Sequence, residues 1–260
     1  MTSDAPVCVV AGASRGIGAA GALALAKAGY RVIACARSQK ALEALDDQAR
    51  AGGQSLTLVP LDLKDGAAID QLGAALFERH GRIDALLVAA GVLGGLSPVG
   101  HVRPQTWDNV IATNLTAAYR LIRSLDPLMR AASPAGRAPA RALFVTSNVA
   151  TDARAFWGPY AASKAGLEAL VKSYAAETDF LGMRVNLLNP GGVATRMRAE
   201  AFPGEDPASL PRPEALAPMI VRMLAAGWGT TGQVLSFRET EDFKAWAAAQ
   251  TGVSSPTPAA

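Results

Sequence analysis

A strand-length apolar run, VCVVA at 7–11, passes without a break into AGASRGIG and then into a helix-like stretch at 17–28. A strand that turns through glycines straight into a helix cannot pair with its neighbour through a hairpin. It has to build parallel strands joined by crossover helices. The same rhythm then repeats. Apolar runs at 31–36, 56–60, 85–89, 142–146, 184–188 and 233–237 show little polar alternation, as strands covered on both faces do. Between them lie helical patterns at 39–51, 67–80, 105–130, 160–180 and 213–226. Repeated βα units with right-handed crossovers predict an α/β, doubly wound, seven-stranded parallel sheet flanked by helices. With 260 residues, half of them hydrophobic, the chain suits one such domain over 1–250, followed by a flexible tail at 251–260. Three segments fall outside the rhythm: a Pro/Ala/Gly loop at 131–141, a proline-bearing flap at 196–212 and that tail; the run at 239–250 suggests one last helix of no assignable chemistry.

Composition removes several classes of function. Net charge is only +3, and the basic residues are interleaved with acids, so no nucleic-acid-binding stripe is expected. The N-terminus carries an acid and no basic region, unlike a signal peptide, and the apolar stretch at 85–100 is broken by glycines, Ser97 and Pro98. No membrane span is expected, and Cys8 and Cys35, each inside an apolar run, read as reduced, buried thiols of a cytoplasmic protein. His80 and His101 lack companions at metal-ligand spacing, so no metal site is expected.

The glycine loop carries the first chemical signal. Glycines at 12, 16 and 18 let a diphosphate approach the backbone, and the helix beginning near Ile17 aims free N–H groups and its positive dipole end at that anion. Gly12, Ser14, Arg15, Gly16, Ile17 and Gly18 are therefore candidate cofactor-binding residues. The second strand ends in Ala36-Arg37, where a carboxylate would select the free ribose hydroxyls of NAD. Arginines at 37 and 15, with no acid, suit a 2′-phosphate instead, which predicts NADP(H) over NAD(H).

Tyr160 and Lys164 are four apart at the start of a helix and share one face. A free phenol titrates at about 10; a nearby ammonium and an oxidised, positively charged nicotinamide favour the phenolate and should lower that value. The pair follows the fifth strand, whose end carries Thr146 and Ser147, and ligands collect at such carboxyl ends.

Gly12-x3-Gly16-x-Gly18, Ser147 thirteen residues before Tyr160, Tyr160-x3-Lys164 and Pro190-Gly191 together resemble the short-chain dehydrogenase/reductase family over about 7–235. WGPYAASK, NPGGVATRMRAEAFPGEDP and the following PEAL look like its bacterial YciK-like branch. The resemblance implies catalytic roles for Asn114, Ser147, Tyr160 and Lys164. Tyr160 would be the acid/base, Ser147 would hold the substrate oxygen, and Lys164 would bind the nicotinamide ribose. Asn114 would anchor a water of the proton relay. It also implies cofactor contacts at Asp62 and Leu63 (adenine), Ala90 and Gly91 (ribose), and Pro190, Gly191, Val193 and Thr195 (nicotinamide and diphosphate).

There are departures. The family's usual N-N-A-G is Val88-Ala89-Ala90-Gly91, Ala11 stands where threonine is usual, and Ser236-Phe237-Arg238 replaces the terminal D-G-G. The implied reaction moves a hydride between nicotinamide and a carbonyl or alcohol. A 3-oxoacyl-thioester reductase and a catalytically idle NADP(H)-binding regulator are the alternatives. Phe156, Trp157, Met197, Phe202, Leu93 and Leu96 suggest an apolar substrate portion, and Arg154, Arg196 and Arg198 an acidic one. The long helices at 105–130 and 160–180, with alanines at 117, 118, 161, 162 and 165, suggest a homodimer or homotetramer.

Overall fold

A computed structural model describes residues 5–132 and 138–251 of the chain. Seven strands form one all-parallel sheet in the order β3-β2-β1-β4-β5-β6-β7. They are β1 (Val7–Ala11), β2 (Arg31–Ala36), β3 (Thr57–Pro60), β4 (Ala85–Val88), β5 (Arg141–Val145), β6 (Arg184–Asn189) and β7 (Val234–Ser236). The doubly wound sheet expected from the apolar runs is present, with ends shifted by a residue or two. Part of the expected 131–141 loop, residues 133–137, lies outside the described residues, as does the expected tail from residue 252.

Helices cover both faces because the strands are apolar on both. On one side α3 (Gly66–His80), α5 (Ala117–Arg130) and α6 (Gly158–Thr178) bury Ile69, Leu72, Leu121, Leu125, Leu167 and Val171 against Val9, Leu86 and Phe144. On the other side α1 (Gly16–Lys27), α2 (Gln39–Ala51) and α8 (Ala217–Leu224) bury Leu25, Leu42, Leu45 and Ile220 against Cys8, Val10, Leu87 and Leu143. Each such side chain contributes roughly 1.5–3 kcal/mol of transfer free energy. Local signals set the helix ends. Ser38 caps α2 by accepting from Ala41 N, Asp65 caps α3 by accepting from Ala68 N, and Gly81 closes α3 in the left-handed region. Cys8 and Cys35 are free and fully buried, and burial pushes both thiols up.

Three expectations change. The single helix expected at 105–130 is α4 (Pro104–Ile111) and α5 joined by a π turn at Ala112–Thr116. The flap expected at 196–212 opens with a helix, α7 (Arg196–Ala201), which Thr195 caps by accepting from Arg198 N. The expected 213–226 helix begins as a 3-10 turn, Pro213–Leu216, before α8. The last helix, α9, runs Glu241–Thr251. The strand order reverses between β1 and β4, because β1 leads outward to β2 while β4 starts the other half of the sheet. Beyond the carboxyl ends of strands at such a point a crevice opens.

Candidate active site

The crevice measures about 1340 Å³ and runs from the β1–α1 loop to the segment after β6. At its first end the glycine loop makes a cradle with no room for a side chain at position 12. Gly12 has φ +92, and a Cβ on it would stand 2.5 Å from Ala90 N. Ser14, Arg15, Gly16 and Ile17 line the crevice beside Gly12. Gly18 does not: it is buried where a Cβ would stand 2.2 Å from Gly12 O, so its part is to let α1 start hard against the loop. Arg15 and Arg37 are exposed on the lining, and neither makes an ion pair among the described residues. Asp62, Leu63, Ala90 and Gly91 continue the wall. A glycine cradle for a diphosphate with two uncommitted guanidiniums at its far end fits a phosphorylated dinucleotide.

At the second end β5 and α6 bring three side chains together. Ser147 follows β5, while Tyr160 and Lys164 lie one turn apart on α6. Lys164 is 3% exposed, donates from Nζ to Val145 O at 2.8 Å, and sits 5.8 Å from the Tyr160 ring centroid. Burial pulls its ammonium down to about 8, with the Glu168 carboxylate acting in the opposite direction. Tyr160 departs from the sequence expectation. Burial pushes its phenol up to about 12, the Ser147 hydroxyl beside it pulling the other way. The phenol of the protein alone is thus a protonated acid, because the loss of solvation outweighs the Ser147 hydrogen bond.

Asn114 sits inside the π turn, 2% exposed, and does not line the crevice. Its Nδ2 donates to Val92 O at 3.0 Å and to Ser163 Oγ at 2.9 Å, and its Oδ1 accepts from Val92 N at 2.8 Å. The side chain ties the segment after β4 to α6, and both of its N–H groups are used in doing so. The extra residue of the π turn carries it inward, as such insertions do at functional sites. Pro190, Gly191, Val193 and Thr195 close the crevice after β6. Leu93, Trp157 and Met197 line the substrate end, whereas Phe156 is exposed in the left-handed region at φ 73 and Phe202 stacks behind Trp157. Arg154, Arg196 and Arg198 are on the lining, Arg196 pairing with Glu200. His80 ends α3 and His101 closes a 3-10 turn; among the described residues no cluster could hold a metal ion.

The short chain dehydrogenase family profile matches residues 6–206. The chain belongs to the short-chain dehydrogenase/reductase family. It is 35% identical over 222 residues to the oxidoreductase YciK of Escherichia coli K12, covering 84% of this chain and 85% of that one. To the 3-oxoacyl-[acyl-carrier-protein] reductase FabG of the same organism it is 32% identical over 197 residues, 76% of this chain and 77% of that one. A short-chain dehydrogenase from Shigella flexneri 2a str. 301 solved in complex with NADP superposes with a TM-score of 0.83 at 32% identity, covering 89% of this chain and 96% of that one. The resemblance seen in the motifs, including the YciK-like branch, is borne out. The short-chain dehydrogenase described here is accordingly an oxidoreductase that uses a nicotinamide cofactor and acts on small molecules. No helix among the described residues is long and apolar enough to cross a membrane.

Proposed function

We propose that this dehydrogenase interconverts a carbonyl compound and its alcohol with NADP(H), preferring it to NAD(H). The observation that carries the reading is the burial of Tyr160 and Lys164 on one face of α6, beside Ser147, in the crevice that holds Arg15 and Arg37 at its other end. When bound, the nicotinamide supplies or accepts the hydride at its C4.

The chain's own residues do the rest. Ser147 donates to the carbonyl oxygen and fixes it beside Tyr160. In the reductive direction the Tyr160 hydroxyl gives its proton to that oxygen, and in the oxidative direction the phenolate takes it back. A phenol held up by burial suits the first task, and positive charge beside it brings the phenolate within reach for the second. Lys164, anchored on Val145 O, is placed to supply that charge and to grip the ribose. Asn114 acts at one remove: by clamping Val92 it holds Gly91 and the ribose wall in place. Arg15 and Arg37 grip the 2′-phosphate. Asp62 with Leu63 flank the adenine, and Pro190, Gly191, Val193 and Thr195 border the nicotinamide and diphosphate.

The FabG likeness favours a second substrate reading, reduction of a 3-oxoacyl thioester. We place the enzyme in the cytoplasm as a homodimer or homotetramer packed through the α4–α5 and α6 faces. An NADPH-consumption screen over aldehydes, ketones, quinones and acyl thioesters, run beside Tyr160→Phe, tests the proposal. Turnover by the wild type and none by the variant is expected. NADPH binding without turnover on the whole panel would favour the idle regulator, and affinity for NADH equal to that for NADPH would reject the cofactor preference.

A further inference from the structure

The wall of the crevice on the flap side changes character in steps. Tyr160 meets Trp157 edge-on at 5.9 Å between ring centroids, Trp157 meets Phe202 at 5.8 Å, and the Arg198 guanidinium lies 3.7 Å over the Phe202 ring. Next to Arg198 comes Arg238, which leaves the end of β7 and crosses the segment after β6. A Cβ on Gly191 would stand 2.9 Å from Arg238 Nε. One on Gly192 would stand 3.3 Å from Arg238 Nη2 and 3.6 Å from Arg198 Cζ. Both guanidiniums therefore converge on Gly192, and both line the crevice. Of the two, only Arg198 is paired with a carboxylate among the described residues. Glu205 is bonded by Arg198 through Nε and Nη2 at 2.5 and 2.6 Å. Its carboxyl is held down chiefly by that contact and further by the charge of Arg238. Arg238 itself makes no ion pair among the described residues, not even with Glu239, its neighbour on the lining.

On the reading of the crevice given above, we propose that Arg238, backed by the Arg198–Glu205 pair, binds an anionic group of the carbonyl substrate. The substrate class that fits is a carbonyl carbon held at Tyr160, an apolar spacer along Trp157 and Met197, and a carboxylate or phosphate at the arginine end. The physical case is charge and donor geometry. Arg198 is already neutralised by Glu205, whereas Arg238 stands exposed on the lining as a cation with no ion pair among the described residues. A guanidinium whose donors are uncommitted can bind an oxyanion through two parallel hydrogen bonds. The sequence gives Arg238 freedom to reach: Gly191 and Gly192 carry no side chain to block its path, and Gly191 is left-handed at φ +68.

The cofactor's diphosphate offers the same oxyanion chemistry in the same crevice, so the test separates the two. Calorimetric titration of the NADP-loaded protein with a medium-chain ω-oxo carboxylate and with its methyl ester should show the acid binding about tenfold tighter or more. In Arg238→Gln that ratio should fall to near one, and in Arg238→Lys, which keeps the charge, most of it should return. Equal binding of acid and ester by the wild type overturns the proposal, as does a ratio that Arg238→Gln leaves intact. A ratio left intact while affinity for NADPH drops assigns the guanidinium to the cofactor and equally overturns it. Because the titration reads binding, it is independent of whether Tyr160→Phe abolishes turnover, the outcome on which the catalytic reading stands.

Discussion

Replacing Asn114 by alanine should cost far more than the loss of one polar side chain. The amide makes three hydrogen bonds at 2.8, 3.0 and 2.9 Å, and two of them satisfy the N–H and the C=O of one residue, Val92. Alanine keeps the helix but orphans both main-chain groups beside a residue that is 2% exposed. A buried group left without a partner costs about 1–3 kcal/mol, so two give at most about 2–6 kcal/mol, reduced because Val92 is half-buried and lines the crevice. Ser163 loses little, because its hydroxyl still donates to Tyr160 O. The same change loosens the crevice wall at Gly91, where a Cβ would lie 3.6 Å from Asn114 Oδ1 and 3.7 Å from Lys164 Nζ. Urea denaturation should show a lower midpoint at unchanged slope, and kcat/KM for carbonyl reduction should fall by about tenfold or more. Loss of stability under about 1 kcal/mol together with undiminished kcat/KM would refute the reasoning.

Two glycines separate steric from conformational cost. Gly12 and Gly29 both have positive φ, +92 and +91, but a Cβ on Gly12 would collide with Ala90 N at 2.5 Å whereas Gly29 has nothing within 4 Å. Gly29→Ala should cost only the left-handed penalty of about 1–2 kcal/mol. Gly12→Ala adds overpacking of about 1–3 kcal/mol and should impair NADPH binding as well; equal melting temperatures for the two would contradict this. The pH profile follows from Lys164. Its folded value of about 8 lies below the ordinary 10.5, so the fold disfavours the charged form and stability rises with pH between those values. On the proposed role of Lys164 the ammonium is the form that grips the ribose, so kcat/KM should fall above about 8. Glu168 holds that value up, and its Oε1 accepts from Thr146 Oγ1 at 2.9 Å. Glu168→Gln should therefore move the alkaline limb to lower pH, and a limb that stays put would show that another group sets it.

Much of this was legible in the chain because the signals were local. Strands buried on both faces read as unbroken apolar runs, and β1, β2 and β6 are found within one residue of where those runs lie. The order of glycine loop, Ser147, Tyr160 and Lys164 placed one crevice on the right sheet edge. The π turn was not legible. Residues 105–130 carry an ordinary helical pattern, and only the tertiary bonds from Asn114 to Val92 and Ser163 account for an extra residue there. The α7 helix had a readable start in Thr195 followed by RMRAEA, but Pro203, Pro207 and Pro211 made the whole stretch look irregular. The raised phenol of Tyr160 depends on burial, which spacing along a helix does not report. Arg238 stood out only as a departure from the family's D-G-G, and its reach across Gly191 and Gly192 is a matter of folded distance.

The most direct measurement is a crystal structure of the protein soaked with NADP. The account predicts the nicotinamide C4 facing the Tyr160 hydroxyl across the space left for a carbonyl, with Lys164 on the ribose and the 2′-phosphate between Arg15 and Arg37. A nicotinamide lying away from α6, with the phenol out of reach of its reactive carbon, would contradict it.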